Sequence, residues 1–273
     1  MKNFKLGLQL YSVREDMEKD MDSTLKAVKD MGYDYVEFAG YFGKTAEEVK
    51  QLLDKHGLKC ISVHQSHKVF LSEPQKNIDY LKTIGVKFSA IPWYEISELR
   101  NNFEETQKQF EKTGNLLKDN GIQLLYHNHD FEFGKVDGEY ILDKLFRLIP
   151  VMLPQIDTCW VRYMDINPAE YIEKYSGKTN IIHLKDFVCR SFGSGPAYAL
   201  IGDDGQEEKR PSMEDNGFDF RPLGYGIQDF PAILAAAEKA GVEYLIVEQD
   251  RSSERPAMEA AKISREYLRT LGI

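Results

Sequence analysis

Five times along the chain a helical stretch ends in a glycine with a short apolar run directly behind it: MGY at 31–33, HGL at 56–58, IGV at 84–86, NGI at 120–122 and AGV at 240–242. Glycine takes the left-handed turn that stops a helix, and a short apolar run bounded by such a turn reads as a buried strand. Helix, glycine and strand in repeated succession are what parallel strands joined by right-handed helical crossovers look like in sequence.

Read in order, strands are expected at Phe4–Tyr11, Tyr35–Phe38, Leu58–His64, Val86–Ile91, Ile122–His127, Val151–Ile156, Asn180–Leu184 and Tyr244–Val247. Helices lie between them, the best marked running from Thr45, which forms a capping box with Glu48, to Gly57. Eight such units predict a (β/α)8 barrel, a fold that commonly closes at ~250 residues, as one domain over 1–273. An open doubly wound sheet would carry a glycine-rich phosphate turn after its first strand, and this chain has QLYSVRED there. Residues 187–226, after the seventh strand, exceed an ordinary connection and are expected as an insertion or lid over the barrel mouth.

A net charge of −9 opposes binding to nucleic acid or anionic lipid. No apolar run approaches the ~20 residues of a membrane span, and the N-terminus lacks the apolar core of an export signal. Three widely separated cysteines, Cys60, Cys159 and Cys189, form no paired framework, so a reduced cytoplasmic protein is expected.

The polar residues gather where strands end. In LLYHNHDFEF (124–133) two imidazoles and two carboxylates directly follow a buried strand. His127 and His129, two apart, point to one side of an extended chain, which suits metal ligands or acid/base groups. Gln9, His64, Trp93, Asp157, His183 and Glu248 end other strands, the rim where barrels of this kind place their active sites. Asp157, His183 and Glu248, with one ligand from 127–132, make a carboxylate-rich set suited to Mn²⁺, Mg²⁺, Co²⁺ or Zn²⁺.

At these residues the chain resembles the sugar phosphate isomerase/epimerase family of the xylose isomerase-like TIM barrels. The resemblance spans the chain through GLQLYSVR (7–14), YHNHDFEF (126–133), HLKD (183–186), GYGIQDF (224–230) and VEQD (247–250). It implies a divalent metal, Mn²⁺ first, held by a set of which Asp157, His183 and Glu248 match three members. The epimerases have Glu where His127 stands. Dehydratases of the family carry histidines there with a Glu further along, so the resemblance implies Glu132 as fourth ligand, leaving His127 and His129 for proton transfer or substrate contact.

The implied activity is isomerisation or epimerisation of a sugar or keto-sugar through a metal-stabilised enediolate. The alternative is a lyase that dehydrates an inosose-like ketone or eliminates the aglycone of a 3-keto-glycoside. Glu248, His127, His129 and Lys185 are the expected catalytic groups, Lys185 stabilising developing negative charge. Gln9, His64, Trp93 and Asp186 are the expected substrate contacts, with Tyr94 and Trp160 as further wall for a sugar ring. Asp186 has a second reading, as an orienting group for Lys185 or a loop cap. Relatives in the family self-associate, so a homo-oligomer is an expectation too.

Overall fold

The computed structural model describes residues 3–193 and 216–273. Eight parallel strands close into a barrel: β1 (Lys5–Gln9), β2 (Tyr35–Phe38), β3 (Lys59–His64), β4 (Phe88–Ile91), β5 (Gln123–His127), β6 (Met152–Asp157), β7 (Ile181–Leu184) and β8 (Tyr244–Val247). Closure runs through β1 and β8, with Lys5 opposite Tyr244 and Leu8 opposite Val247. This is the (β/α)8 barrel expected from the repeats, and Tyr35–Phe38 and Tyr244–Val247 keep their expected limits.

Local chemistry explains the helix limits. Thr45 and Glu48 make the reciprocal capping box, and Gly57 ends that helix at φ 67°. Missed in the sequence were the short helices at Arg14–Lys19, His67–Ser72, Ile96–Asn101 and Thr158–Tyr163, each only six residues long. A helix of under two turns shows no amphipathic period, so only its cap betrays it, and just two of these four have a side-chain cap, Ser66 and Asp157.

Most of the apolar core lies between strands and helices. A smaller cluster, Ile61, Ala90, Leu125, Ile181, Tyr244 and Ile246, comes from strands alone and packs Tyr244 edge-on against Tyr35 with ring centres 5.4 Å apart. It plugs the bore below the polar rim, so the rim has a dry, rigid floor. An antiparallel pair, Asp186–Val188 with Asp219–Arg221, flanks the long excursion after β7. The greater part of the expected lid, 194–215, falls outside the described residues.

Gly7 of β1 shows how tightly the bore is filled: a Cβ there would lie 2.7 Å from Ile246 Cδ1. Gly7→Val is expected to cost about 1–3 kcal/mol through overpacking. Urea denaturation should show a lower midpoint with an unchanged slope.

Candidate functional site

The C-terminal ends of the strands bring His127, Asp157, His183 and Glu248 together, all buried, with one ligand atom of each within 4.8 Å of the others. Asp157 owes its pose to the short helix it caps. Its Oδ1 accepts from the backbone N–H of Cys159 (2.8 Å) and Trp160 (3.4 Å), and its own N–H donates to Asn128 Oδ1 (2.9 Å). One oxygen is thus spent on structure and Oδ2 faces the cluster, 3.6 Å from His127 Nε2 and 3.0 Å from Lys185 Nζ.

His183 contacts carboxylates on both ring nitrogens: Nδ1 lies 2.7 Å from Glu248 Oε2 and Nε2 lies 2.7 Å from Glu37 Oε1. Burial alone would depress its pKa, but the Glu37 and Glu248 charges overcome that and push it up to about 10. Lys185 is fully buried with its ammonium 3.0 Å from Asp157, 3.0 Å from Glu248 and 2.9 Å from Asp250. Those three charges outweigh its desolvation and hold it protonated. Its Nζ also sits 5.5 Å from the ring centres of Trp160 and Phe220.

Burial keeps His127 and His129 neutral, His127 far below the ordinary imidazole value and His129 down to about 3, with the Lys185 charge acting in the same direction on both. The site therefore holds two neutral imidazoles beside a fixed ammonium. A cavity of about 530 Å³ opens over the cluster, lined by His64, His127, His129, Lys185, Glu248 and Asp250, with Tyr11 and Trp93 among others.

Glu132 stands apart from this group, against the expectation that it is the fourth ligand. Its carboxylate accepts from Tyr126 Oη (2.7 Å) and from the His129 backbone N–H (2.8 Å), so it braces the loop that carries His129. His127, expected to be left for proton transfer or substrate contact, is the fourth residue of the cluster. Gln9 is corrected similarly: it is buried, donates to Glu37 (2.7 Å) and accepts from the Tyr11 N–H (3.0 Å), and it does not line the cavity.

Asp186 caps the loop, one of the two roles open to it, rather than meeting substrate. Its Oδ1 accepts from the N–H groups of Phe187, Ile227 and Gln228, and its Oδ2 from those of Gly224 and Gly226. A side chain at 226 would strike that carboxylate, which explains the glycine. Trp160 and Tyr94 are buried and form no wall, whereas Trp93 is 47% exposed and lines the cavity.

Two groups were undervalued in the sequence. Asp250, two beyond Glu248, reaches Lys185, and the same spacing that pairs His127 with His129 was the available signal. Glu37 is the lone carboxylate in the apolar run YVEF, and that isolation was its signal.

The profile of the xylose isomerase-like TIM barrel matches residues 25–271. The chain belongs to that family. Among curated relatives it is 23% identical to an inosose dehydratase of Mesomycoplasma hyopneumoniae strain 7448, over 99% of this chain and 97% of that one. A sugar phosphate isomerase/epimerase from Parabacteroides distasonis ATCC 8503 superposes at a TM-score of 0.76, with 24% identity over 98% of this chain and 94% of that one. The IOLI protein, solved with a zinc atom, superposes at 0.68 with 17% identity over 98% and 97%.

Glu132 offers a test of the local electrostatics. Burial raises its carboxyl to about 8, from 4.5 in an open chain. Between those values the folded state binds the extra proton, so stability falls as pH rises from about 5 to 8. Glu132→Gln removes this loss. In calorimetric scans its Tm relative to wild type should climb by a few degrees across that range.

Proposed function

We propose that the chain is a divalent-metal-dependent isomerase or epimerase of a sugar or keto-sugar, working by proton transfer at the carbon beside a carbonyl. The observation that carries this is the buried cluster of His127, Asp157, His183 and Glu248 at the floor of the cavity. The donor set fits such an ion. His127 is held neutral and so offers a lone pair, its buried Nδ1 has no hydrogen-bond partner among the described residues, and two carboxylates bring the charge a divalent cation needs. These four residues would hold the metal, which when bound supplies Lewis acidity toward a carbonyl oxygen.

The chain's own groups do the rest. Glu248 lines the cavity and is the group placed to remove a proton and return it, while neutral His129 beside it accepts a hydrogen bond from substrate. Lys185 fixes a positive charge beside the position where an oxyanion develops, and its three carboxylate contacts hold it still. Trp93 and His64 face the substrate from the cavity wall. The charge of −9 favours a small molecule over nucleic acid, and three unpaired cysteines suit a reducing, cytoplasmic setting.

A lyase on the same site is the second reading. His127 standing in the cluster, and the full-length likeness to an inosose dehydratase, both favour it. Either outcome begins with the same proton removal, and the fate of the resulting anion separates them.

Protein purified without chelator should carry about one equivalent of metal by elemental analysis, with Mn²⁺ the first candidate. Asp157→Ala and Glu248→Ala should lose it. Protein that stays metal-free after incubation with Mn²⁺, Co²⁺, Zn²⁺ and Mg²⁺ would sink the reading. With a panel of keto-sugars in D₂O, an isomerase should exchange the α-proton without releasing water or an aglycone, whereas loss of either group assigns the lyase.

A further inference from the structure

We propose that a second cavity beside the catalytic one is a phosphate subsite with Arg14 as its principal ligand, so that the substrate is a phosphorylated keto-sugar. The inference rests on the keto-sugar reading for the substrate's reacting end, though not for the binding of phosphate.

This cavity, of about 310 Å³, opens between the segment after β1 and the segment after β8. Arg14 and Lys19 line it from the first segment, Arg251 and Arg255 from the second. Three carboxylates share the space, and two of them have a local reason to be there. Asp250 is held by Lys185 at 2.9 Å. Asp16, with Glu15, lies in the first turn of the helix Arg14–Lys19, where unpaired N–H groups favour acidic side chains. Four cations thus face one cavity in a chain of net charge −9.

Arg14 is held ready for a ligand. Its Nη1 donates to the carbonyls of Tyr11 (2.9 Å) and Asp250 (2.8 Å), which ties the guanidinium to both segments. One face lies over the Tyr11 ring, 4.2 Å from its centre. The Nε–Nη2 edge, which can meet an oxyanion with two parallel hydrogen bonds, has no partner among the described residues. Arg251 and Arg255 have Asp219 at 3.9 Å and Glu254 at 3.3 Å, whereas Arg14 has no ion pair among the described residues. A guanidinium fixed by carbonyls rather than by a carboxylate keeps its charge and its fork for phosphate.

Position ties this cavity to the chemistry. Asp250 lines both cavities, and Tyr11, on which Arg14 lies, lines the catalytic one. A keto-sugar seated against Glu248 and Lys185 directs its far end past Asp250 and Tyr11 toward Arg14. Phosphate held there fixes the reacting end in place.

Calorimetric titration of metal-free protein with inorganic phosphate at low salt tests the subsite alone. Wild type should bind one equivalent. Arg14→Lys keeps the charge and loses the fork, so affinity should fall ~10-fold. Arg251→Ala leaves both carbonyl ties of Arg14 in place and should also weaken binding. Wild type without saturable binding, or affinity unchanged by both substitutions, would overturn the subsite. With metal bound, kcat/KM should be ~10–100-fold higher for the phosphate monoester of a keto-sugar than for the free sugar, and Arg14→Lys should erase the preference mainly through KM. Phosphate binding without that preference would detach the cavity from the substrate and overturn the proposed substrate class. If the protein takes up no metal, the functional reading fails by itself, and the phosphate titration still decides the subsite.

Discussion

Charges taken out of water must meet opposite charges, and the C-terminal rim of this barrel is built around that demand. Lys185 lies among Asp157, Glu248 and Asp250, and His183 lies between Glu37 and Glu248. Each pair offsets a desolvation penalty of several kcal/mol per ion, and removing one member strands the other. The arrangement is thus a poor source of stability and a strong source of order. Each side chain has one low-energy place, because leaving it would uncover a partner.

The barrel makes this possible by geometry. Parallel strands deliver all their C-terminal side chains to one end, while the apolar bore closes the other. Backbone groups complete the framework: Asp157 is held by the helix it caps and His129 by Glu132 at its N–H. At the cavity wall Tyr11 is 41% and Trp93 47% exposed. The centre is rigid and the wall around it more open to water, a division that suits precise chemistry on an adaptable substrate rim.

Much of the fold was legible because each barrel unit repeats one signal. Gly32, Gly57, Gly85 and Gly241 all end helices in the left-handed conformation, so the sequence punctuates itself. The short helices after β1, β3, β4 and β6 escaped notice because their length hides any period. The rim was legible as a set, since histidines and carboxylates at strand ends are costly unless used. Which of them touch was not. Glu132 and His127 are five positions apart, and only the turn at 128–133 decides that the imidazole enters the cluster while the carboxylate folds back onto Tyr126. Gln9 and Asp186 have the right type and position for binding, yet their atoms are consumed by Glu37 and by backbone, which no linear pattern reveals.

The chain leaves the barrel after Asp186 and comes back to the same carboxylate at Gly224, Gly226, Ile227 and Gln228. Just inside that knot, Asp186–Val188 pairs with Asp219–Arg221. Departure and return are therefore stitched together independently of what lies between. An excursion anchored at its base in this way can be lengthened, shortened or exchanged without disturbing Lys185 next door. The same socket offers evolution, and protein engineers, a place to graft new recognition onto an old catalytic floor.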